Sequence, residues 1–262
     1  MSDTKLSPEF TTGVLRPISQ GQVLVPALRA WLTSSFPGMT VELGAFDRRE
    51  PDFWFHPSTH PSWSEKALWL WMVAPQLLEE EPLSAEFMLA VTVGHFWHEL
   101  IQFGLVDLGL MTADVVELSL VDESLRTRGK TDGMRYGEII EVKTQDPRKH
   151  GKTETVEDYI KKNPGYYLQA HEYMRMARVQ KERVLLVSPV YPFLMSEFVI
   201  EFDPTVSERT TSKYRSVLNA VANGEVPLCS GCKKGSCPAR FVCENVDDRR
   251  LLDIVRRSQE EG

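Results

Sequence analysis

The stretch from Gly129 to Thr144, GKTDGMRYGEIIEVKT, constrains this chain more than any other part of it. Ile139, Ile140 and Val142 have the β-branched content of a strand, and Leu125 to Met134 reads as the strand before it. Taking Tyr136-Gly137 as a two-residue turn sets Asp132 directly opposite Glu141, because both lie equally far from the turn. Side chains two apart on a strand share a face, so Lys143 joins them, and Lys130 falls opposite Lys143 in the same register. Two carboxylates facing each other across a ladder repel by about 0.2–1 kcal/mol unless a positive charge lies between them. A divalent cation is a natural bridge for such a pair, and the lysine is suited to partner an attacking water. A Glu-x-Lys triplet alone is frequent in any charged protein, so its meaning depends on the rest of the chain.

Upstream, Ser84 to Leu110 is a long apolar run without proline, which predicts a buried helix. Within its GHFWHELIQ segment, His95 and His98 stand one turn apart. A lone histidine in an apolar helix is usually a satisfied core residue, but beside two carboxylates an imidazole is a common metal ligand. Two zinc-protease readings fail. Gln102 occupies the place where H-E-x-x-H needs its second histidine, and H-F-W-H-E inverts the end of H-x-x-E-H. Downstream, Asp158 to Lys181 has helical character with a break near Asn163-Pro164-Gly165. Tyr166, Gln169 and Tyr173 lie on one face of it, a polar-aromatic surface suited to a phosphate backbone or a stacked base. Gln145 to Lys162 reads as a mobile polar loop between the two.

In chain order these pieces run G-x-x-x-H (Gly94 to His98), G-x-x-D (Gly129 to Asp132), E-x-K (Glu141 to Lys143) and Q-x-x-x-Y (Gln169 to Tyr173). Over roughly residues 84 to 243 the order resembles the PD-(D/E)XK nuclease superfamily, specifically its RecB-like branch of CRISPR-associated and phage exonucleases. Thr131 stands where a literal P-D motif has proline, a departure this branch tolerates. The resemblance implies an α/β, restriction-endonuclease-like core: a mixed central β-sheet flanked by helices. It also implies Mg²⁺ or Mn²⁺ held by His98, Asp132, Glu141 and the carbonyl of Val142, with Asp132, Glu141 and Lys143 catalytic. Lys143 would orient the water or stabilise charge on the phosphate. Gln169 and Tyr173 would position the DNA strand. Lys130, from its register, joins as a flanking phosphate contact, and Arg126, Arg128, Arg135, Arg148, Lys149, His150 and Lys152 form the expected backbone-binding set.

All four cysteines fall within fifteen residues, spaced Cys229-x2-Cys232-x4-Cys237-x5-Cys243. The start, MSDTKLSPEF, has no apolar core, so a reducing, cytoplasmic compartment is expected and four close thiolates predict a metal site. RecB-like members often carry a 4Fe-4S iron-sulfur cluster, and Cys237 to Cys243 resembles the family's closing C-x5-C. Its early cysteine is missing here, however, and the spacing also approaches a zinc knuckle, so Zn²⁺ and 4Fe-4S both stand. Lys233, Lys234 and Arg240 would add nucleic-acid contacts.

At 262 residues the chain can bury one substantial core with a small appendage. No apolar run is long enough to suggest a membrane span. A net charge of −7 argues against broad coating of nucleic acid but allows a local basic groove. Before the motifs, a proline- and tryptophan-rich zone holds an expected helix through Trp69 and Trp71, while His56 and His60 read as loop residues rather than ligands. ERVLLVSPV and FLMSEFVIEF read as strands, and Pro204 to Asn223 as a helix. The expected organisation is a mainly helical N-terminal extension over 1–83, a nuclease core over 84–227, and a four-cysteine metal element with a C-terminal helix over 228–262. The expected function is a metal-dependent DNA exonuclease in recombination, repair or phage replication, working on single strands or DNA ends, with a helicase or recombinase as partner. A non-catalytic nucleic-acid-binding module built on the cysteine site is the alternative from another class, and intact Asp132, Glu141 and Lys143 argue against it. A PD-(D/E)XK endonuclease is the third reading.

Overall fold

A computed structural model of the protein describes residues 22–34, 51–79, 84–191, 193–228 and 237–260. In chain order these form α1 (Leu24–Ser34), α2 (Glu65–Val73), α3 (Ala85–Asp107), β1 (Ser119–Asp122), β2 (Thr127–Lys130), β3 (Gly133–Arg135) and β4 (Glu138–Thr144). They continue with α4 (Pro147–His150), α5 (Val156–Lys162), α6 (Pro164–Ala177), β5 (Lys181–Val187), β6 (Met195–Glu201), α7 (Pro204–Asn223), α8 (Arg240–Asn245) and α9 (Asp248–Glu260). The architecture is mixed α/β, with a central sheet in the order β3-β4-β5-β6 flanked by helices, and a separate β1-β2 ribbon. Only β4 and β5 run parallel; the pairs on either side are antiparallel.

The two central strands are apolar on both faces, as strands covered by helices must be. Ile140, Val142, Leu185 and Val187 pack with Leu24 and Leu28 of α1 and Ile101 and Leu105 of α3. On the other face, Ile139, Val184 and Leu186 pack with Tyr159 of α5 and Ala170, Tyr173 and Met174 of α6. The parallel register sets Ile139 beside Glu182, Glu141 beside Val184 and Lys143 beside Leu186. Because side chains alternate, Glu141, Lys143 and Glu182 all fall on the α6 side. A third cluster joins Phe55 and α2 to Tyr214 and Val217 of α7, and to Cys237, Val242 of α8 and Leu251 of α9. The break before α6 is local chemistry. Thr155 and Asp158 form a reciprocal cap that starts α5, and Pro164 at the first position of α6 restarts the helix after Asn163.

Four expectations change. Leu125 to Met134 is not one strand: Arg126 takes a left-handed conformation (φ 48°), β2 pairs with β1, and β3 begins after Thr131-Asp132. Lys130 therefore sits across from Ser119, not Lys143. The stretch from Gln145 to Lys162 carries α4 and α5, and His150 is buried with Nε2 2.9 Å from Ser196 Oγ, so it presents no surface to a backbone. Finally, α3 is buried only in its second half, at Leu100, Ile101, Gln102, Gly104 and Leu105, while Phe87, Leu89 and Phe96 are exposed. Length explains this, since a helix of 23 residues spans about 34 Å and a strand of seven about 23 Å. Among the described residues, no helix is long and apolar enough to cross a membrane.

Candidate active site

The site is built on the β3–β4 hairpin. Tyr136 (φ 46°) and Gly137 (φ 78°) both take positive φ, the signature of a type I′ two-residue turn, and Gly133, Met134 and Arg135 pair with Ile140, Ile139 and Glu138. One step further, Asp132 leaves the ladder: its Oδ2 accepts the Val142 N–H at 2.6 Å. Two residues of α3, one turn apart, hold Asp132 from the other side. His98 Nδ1 lies 3.2 Å from Asp132 Oδ1, and Gln102 Nε2 donates to the Asp132 carbonyl at 2.9 Å.

Glu141 is buried, and its Oε1 accepts from Lys143 Nζ at 2.5 Å and from Gln169 Nε2 at 2.9 Å. Its Oε2 is buried without a hydrogen-bond partner among the described residues. Burial, together with the charge of Asp132, pushes the Glu141 carboxyl above its ordinary range. Burial acts the same way on Asp132, but His98, Lys143 and the Val142 N–H outweigh it and hold that carboxyl low. Burial also opposes charge on His98 and Lys143; Asp132 raises the imidazole nonetheless, and Glu141 with Asp132 keeps the ammonium firmly protonated. The Lys143 ammonium lies 4.6 Å from the centroid of the Tyr166 ring.

His98, Asp132, Glu141, Lys143 and Gln169 line one cleft of about 1000 Å³, together with His95, Tyr173, Asp52, His56, Arg128 and Lys130. Close approach shapes its wall: a Cβ on Gly129 would lie 2.9 Å from Tyr173 Cε1, so the glycine of G-x-x-D lets Tyr173 lie against β2. The sequence-predicted His98, Asp132, Glu141, Lys143, Gln169 and Tyr173 thus come together from α3, the hairpin and α6. Several nevertheless do something other than expected. Gln169 is buried and its amide is turned onto Glu141 rather than offered to a strand. Arg128 Nε donates to Asp52 Oδ2 at 3.0 Å, and Lys130 Nζ is 3.2 Å from Glu117. Of the four cysteines, Cys229 and Cys232 lie outside the described residues, as do Lys233 and Lys234. Cys237 is buried with Sγ 3.2 Å from Ser64 Oγ, and Cys243 packs on the same core cluster.

Sequence reasoning missed Gln102, which the H-E-x-x-H comparison treated only as an absent histidine. Its position four residues after His98 was the available signal. It also missed Asp52 and His56, whose carboxylate and imidazole Nε2 lie 2.9 Å apart at the cleft, with His56 Nδ1 3.1 Å from the Arg128 carbonyl. Nothing in the spacing of those two residues marks them.

Among the described residues, no three His, Cys, Asp or Glu side chains already converge as a formed cation cage. The donor chemistry still fits a hard divalent ion. The His98 imidazole and the Asp132 and Glu141 carboxylates line the same cleft, the two carboxylates repel each other, and Glu141 Oε2 is a buried acceptor in want of a partner among the described residues.

No known protein-family profile and no curated protein matches this sequence. Among solved structures, the chain is similar to an alkaline exonuclease from Laribacter hongkongensis, with 15% identity and a TM-score of 0.48 over 65% of this chain and 89% of that one. The same exonuclease in complex with dAMP aligns with 15% identity and a TM-score of 0.44, over 66% of this chain and 90% of that one. A phage-related exonuclease from Haemophilus somnus aligns with 12% identity and a TM-score of 0.35, over 56% of this chain and 91% of that one.

Proposed function

We propose that this protein is a divalent-cation-dependent deoxyribonuclease of the PD-(D/E)XK kind, in its RecB-like branch, working as an exonuclease on single-stranded DNA or DNA ends. One observation carries the reading. Four segments whose order matches that superfamily meet in one cleft, with Asp132 bonded to the β4 backbone between Glu141 and Lys143. A random Glu-x-Lys triplet on a solvated strand would have no such company.

His98, Asp132, Glu141 and the Val142 carbonyl would hold Mg²⁺ or Mn²⁺. When bound, the ion supplies a water of lowered pKa and polarises a phosphoryl oxygen. The chain's own residues do the rest. Lys143, held protonated beside Glu141, stabilises negative charge as it builds on the phosphate. Gln169 fixes the rotamer of Glu141, and Gln102 with His98 fixes Asp132, so the carboxylates keep their places while the cleft is wet. The same reading takes Cys229, Cys232, Cys237 and Cys243 as ligands of Zn²⁺ or a 4Fe-4S cluster, which metal analysis and visible absorbance tell apart.

The test is digestion of end-labelled linear and covalently closed circular DNA with Mg²⁺ or Mn²⁺. Loss of linear DNA alone, reduced about a hundredfold or more by Glu141→Ala and by Lys143→Ala, is the expected result. Cutting of circles moves the reading to an endonuclease, and metal-independent or absent cleavage overturns it.

A further inference from the structure

A second cleft, of about 730 Å³, adjoins the first at Tyr166, whose exposed ring lines it and carries the Lys143 ammonium on its face. Arg148, Lys149, Lys152 and Lys162 line this cleft against a single carboxylate, Asp146. The chain as a whole is acidic, at −7, and the first cleft holds five carboxylates to three lysine or arginine side chains. The positive charge is therefore a local concentration, not a reflection of composition. Its members are not spent on one another's partners. Lys162 Nζ donates to the Lys152 carbonyl and to Thr153 Oγ1 at 3.2 Å, neutral acceptors that fix the ammonium in place without cancelling its charge. Arg148 shares Asp146 at 3.2 Å. Lys149 and Lys152 are exposed and, among the described residues, have no carboxylate partner.

Cations gathered in a concave surface repel one another and attract a polyanion. Here they adjoin an exposed aromatic ring that itself touches the lysine beside the carboxylates. A row of cations ending on a stacking face is what an unpaired strand requires, because every base has a face to stack and every nucleotide a phosphate to neutralise. The interior of a duplex offers no free base face to Tyr166. We infer that this cleft holds the phosphate backbone of a single DNA strand on one side of the bond to be cut, with Tyr166 stacking the base nearest Lys143. The inference rests on the nuclease reading above and names the path its substrate takes.

The experiment is fluorescence anisotropy of a fluorescein-labelled oligothymidylate titrated with the full chain, with Ca²⁺ in place of Mg²⁺ and salt varied between about 50 and 200 mM. Each single-strand phosphate contact contributes about 0.7 to the slope of log affinity against log salt, so Lys149→Gln/Lys152→Gln should flatten that slope by about 1.4. Affinity at about 0.1 M salt should fall roughly twentyfold. Lys149→Arg/Lys152→Arg should keep the wild-type slope. Tyr166→Ala should weaken binding about fivefold or more with the slope unchanged. Arg249→Gln/Arg256→Gln on α9, which removes the same charge elsewhere, should change neither quantity. Both cleft lysines are exposed, and an unchanged melting temperature establishes that the variants are folded. If the wild type binds and cleaves DNA while Lys149→Gln/Lys152→Gln binds with wild-type affinity and slope, the cleft assignment is wrong and the nuclease reading survives. If the wild type neither binds nor cleaves, both fall together.

Discussion

Replacing Gln169 by leucine separates two roles the side chain could have. The residue is 4% exposed, and its amide donates to Glu141 Oε1 at 2.9 Å, so leucine of similar size fills the space without offering a donor. Among the described residues Glu141 is then left with Lys143 as its one hydrogen-bond partner, and a hydrogen bond to a charged group is worth about 1.5–3 kcal/mol. At 1.36 kcal/mol per decade that corresponds to roughly ten- to a hundredfold. If Gln169 positions Glu141, the loss falls on kcat, and KM for DNA stays near the wild-type value, because the amide points into the protein. Thermal melting should drop by about 4–8 °C for a loss of about 2 kcal/mol in a chain of this size. The assay is steady-state cleavage of end-labelled single-stranded DNA at saturating Mn²⁺, with melting measured on the same samples. Gln169→Glu, which sets another carboxylate against Glu141, should be the more damaging change. A raised KM with unchanged kcat would refute the reasoning, since it would mean that Gln169 touches the strand.

Three further outcomes are expected. Glu197 of β6 accepts the N–H groups of Val23, Leu24 and Val25 at 2.8–3.0 Å and pairs with Arg183 at 2.6 Å, so Glu197→Ala should cost about 2–4 kcal/mol in urea denaturation by uncapping α1 and leaving Arg183 with Glu138, at 2.8 Å, as its carboxylate partner among the described residues. At the hairpin turn, Gly137→Ala should destabilise by about 1–2 kcal/mol, while Tyr136→Asn should be neutral or stabilising in the same assay, because asparagine tolerates positive φ better than the 87% exposed tyrosine. Burial lowers the affinity of His171 for a proton, more than the Tyr167 carbonyl and Asp203 restore it, and its Nε2 has no hydrogen-bond partner among the described residues. The unfolded chain then binds that proton more tightly, so the contribution of His171 is intact above its unfolded value of about 6.5 and is lost as pH falls below it. His171→Phe should flatten the decline in melting temperature between about pH 7 and 5.

Much of the hairpin was legible because its information is local. A two-residue turn and period-two alternation are enough to put Asp132 beside Glu141 and to align Lys143 with it. The same logic failed one strand earlier. Extending the register to Lys130 assumed an uninterrupted strand, but a left-handed Arg126 and the departure of Asp132 from the ladder hand β2 to another ribbon. Gln169 was placed on the correct face of α6, yet its role depends on how far α6 sits from β4, which helical periodicity does not carry. Asp52 and His56 reach the site beside the parallel bridge between Phe55 and Thr127 and the bonds each makes to Arg128, contacts over seventy residues that leave no pattern in the chain. The helix over Pro204 to Asn223 was legible for the opposite reason: Asp203, Pro204 and Gly224 mark both of its ends.

The bond between Asp132 and the Val142 N–H has a consequence for solubility. Because β3 is only three residues long, β4 runs past it, and from Glu141 to Thr144 its outer side has no ladder partner in β3. Such an edge is a template on which a second chain can add a strand. A charged side chain folded against it closes the template as effectively as a neighbouring strand would. Alanine at position 132 therefore removes a guard against self-association along with a carboxylate, and a preparation of that variant that precipitates reports on the edge of the sheet, not on the chemistry in the cleft.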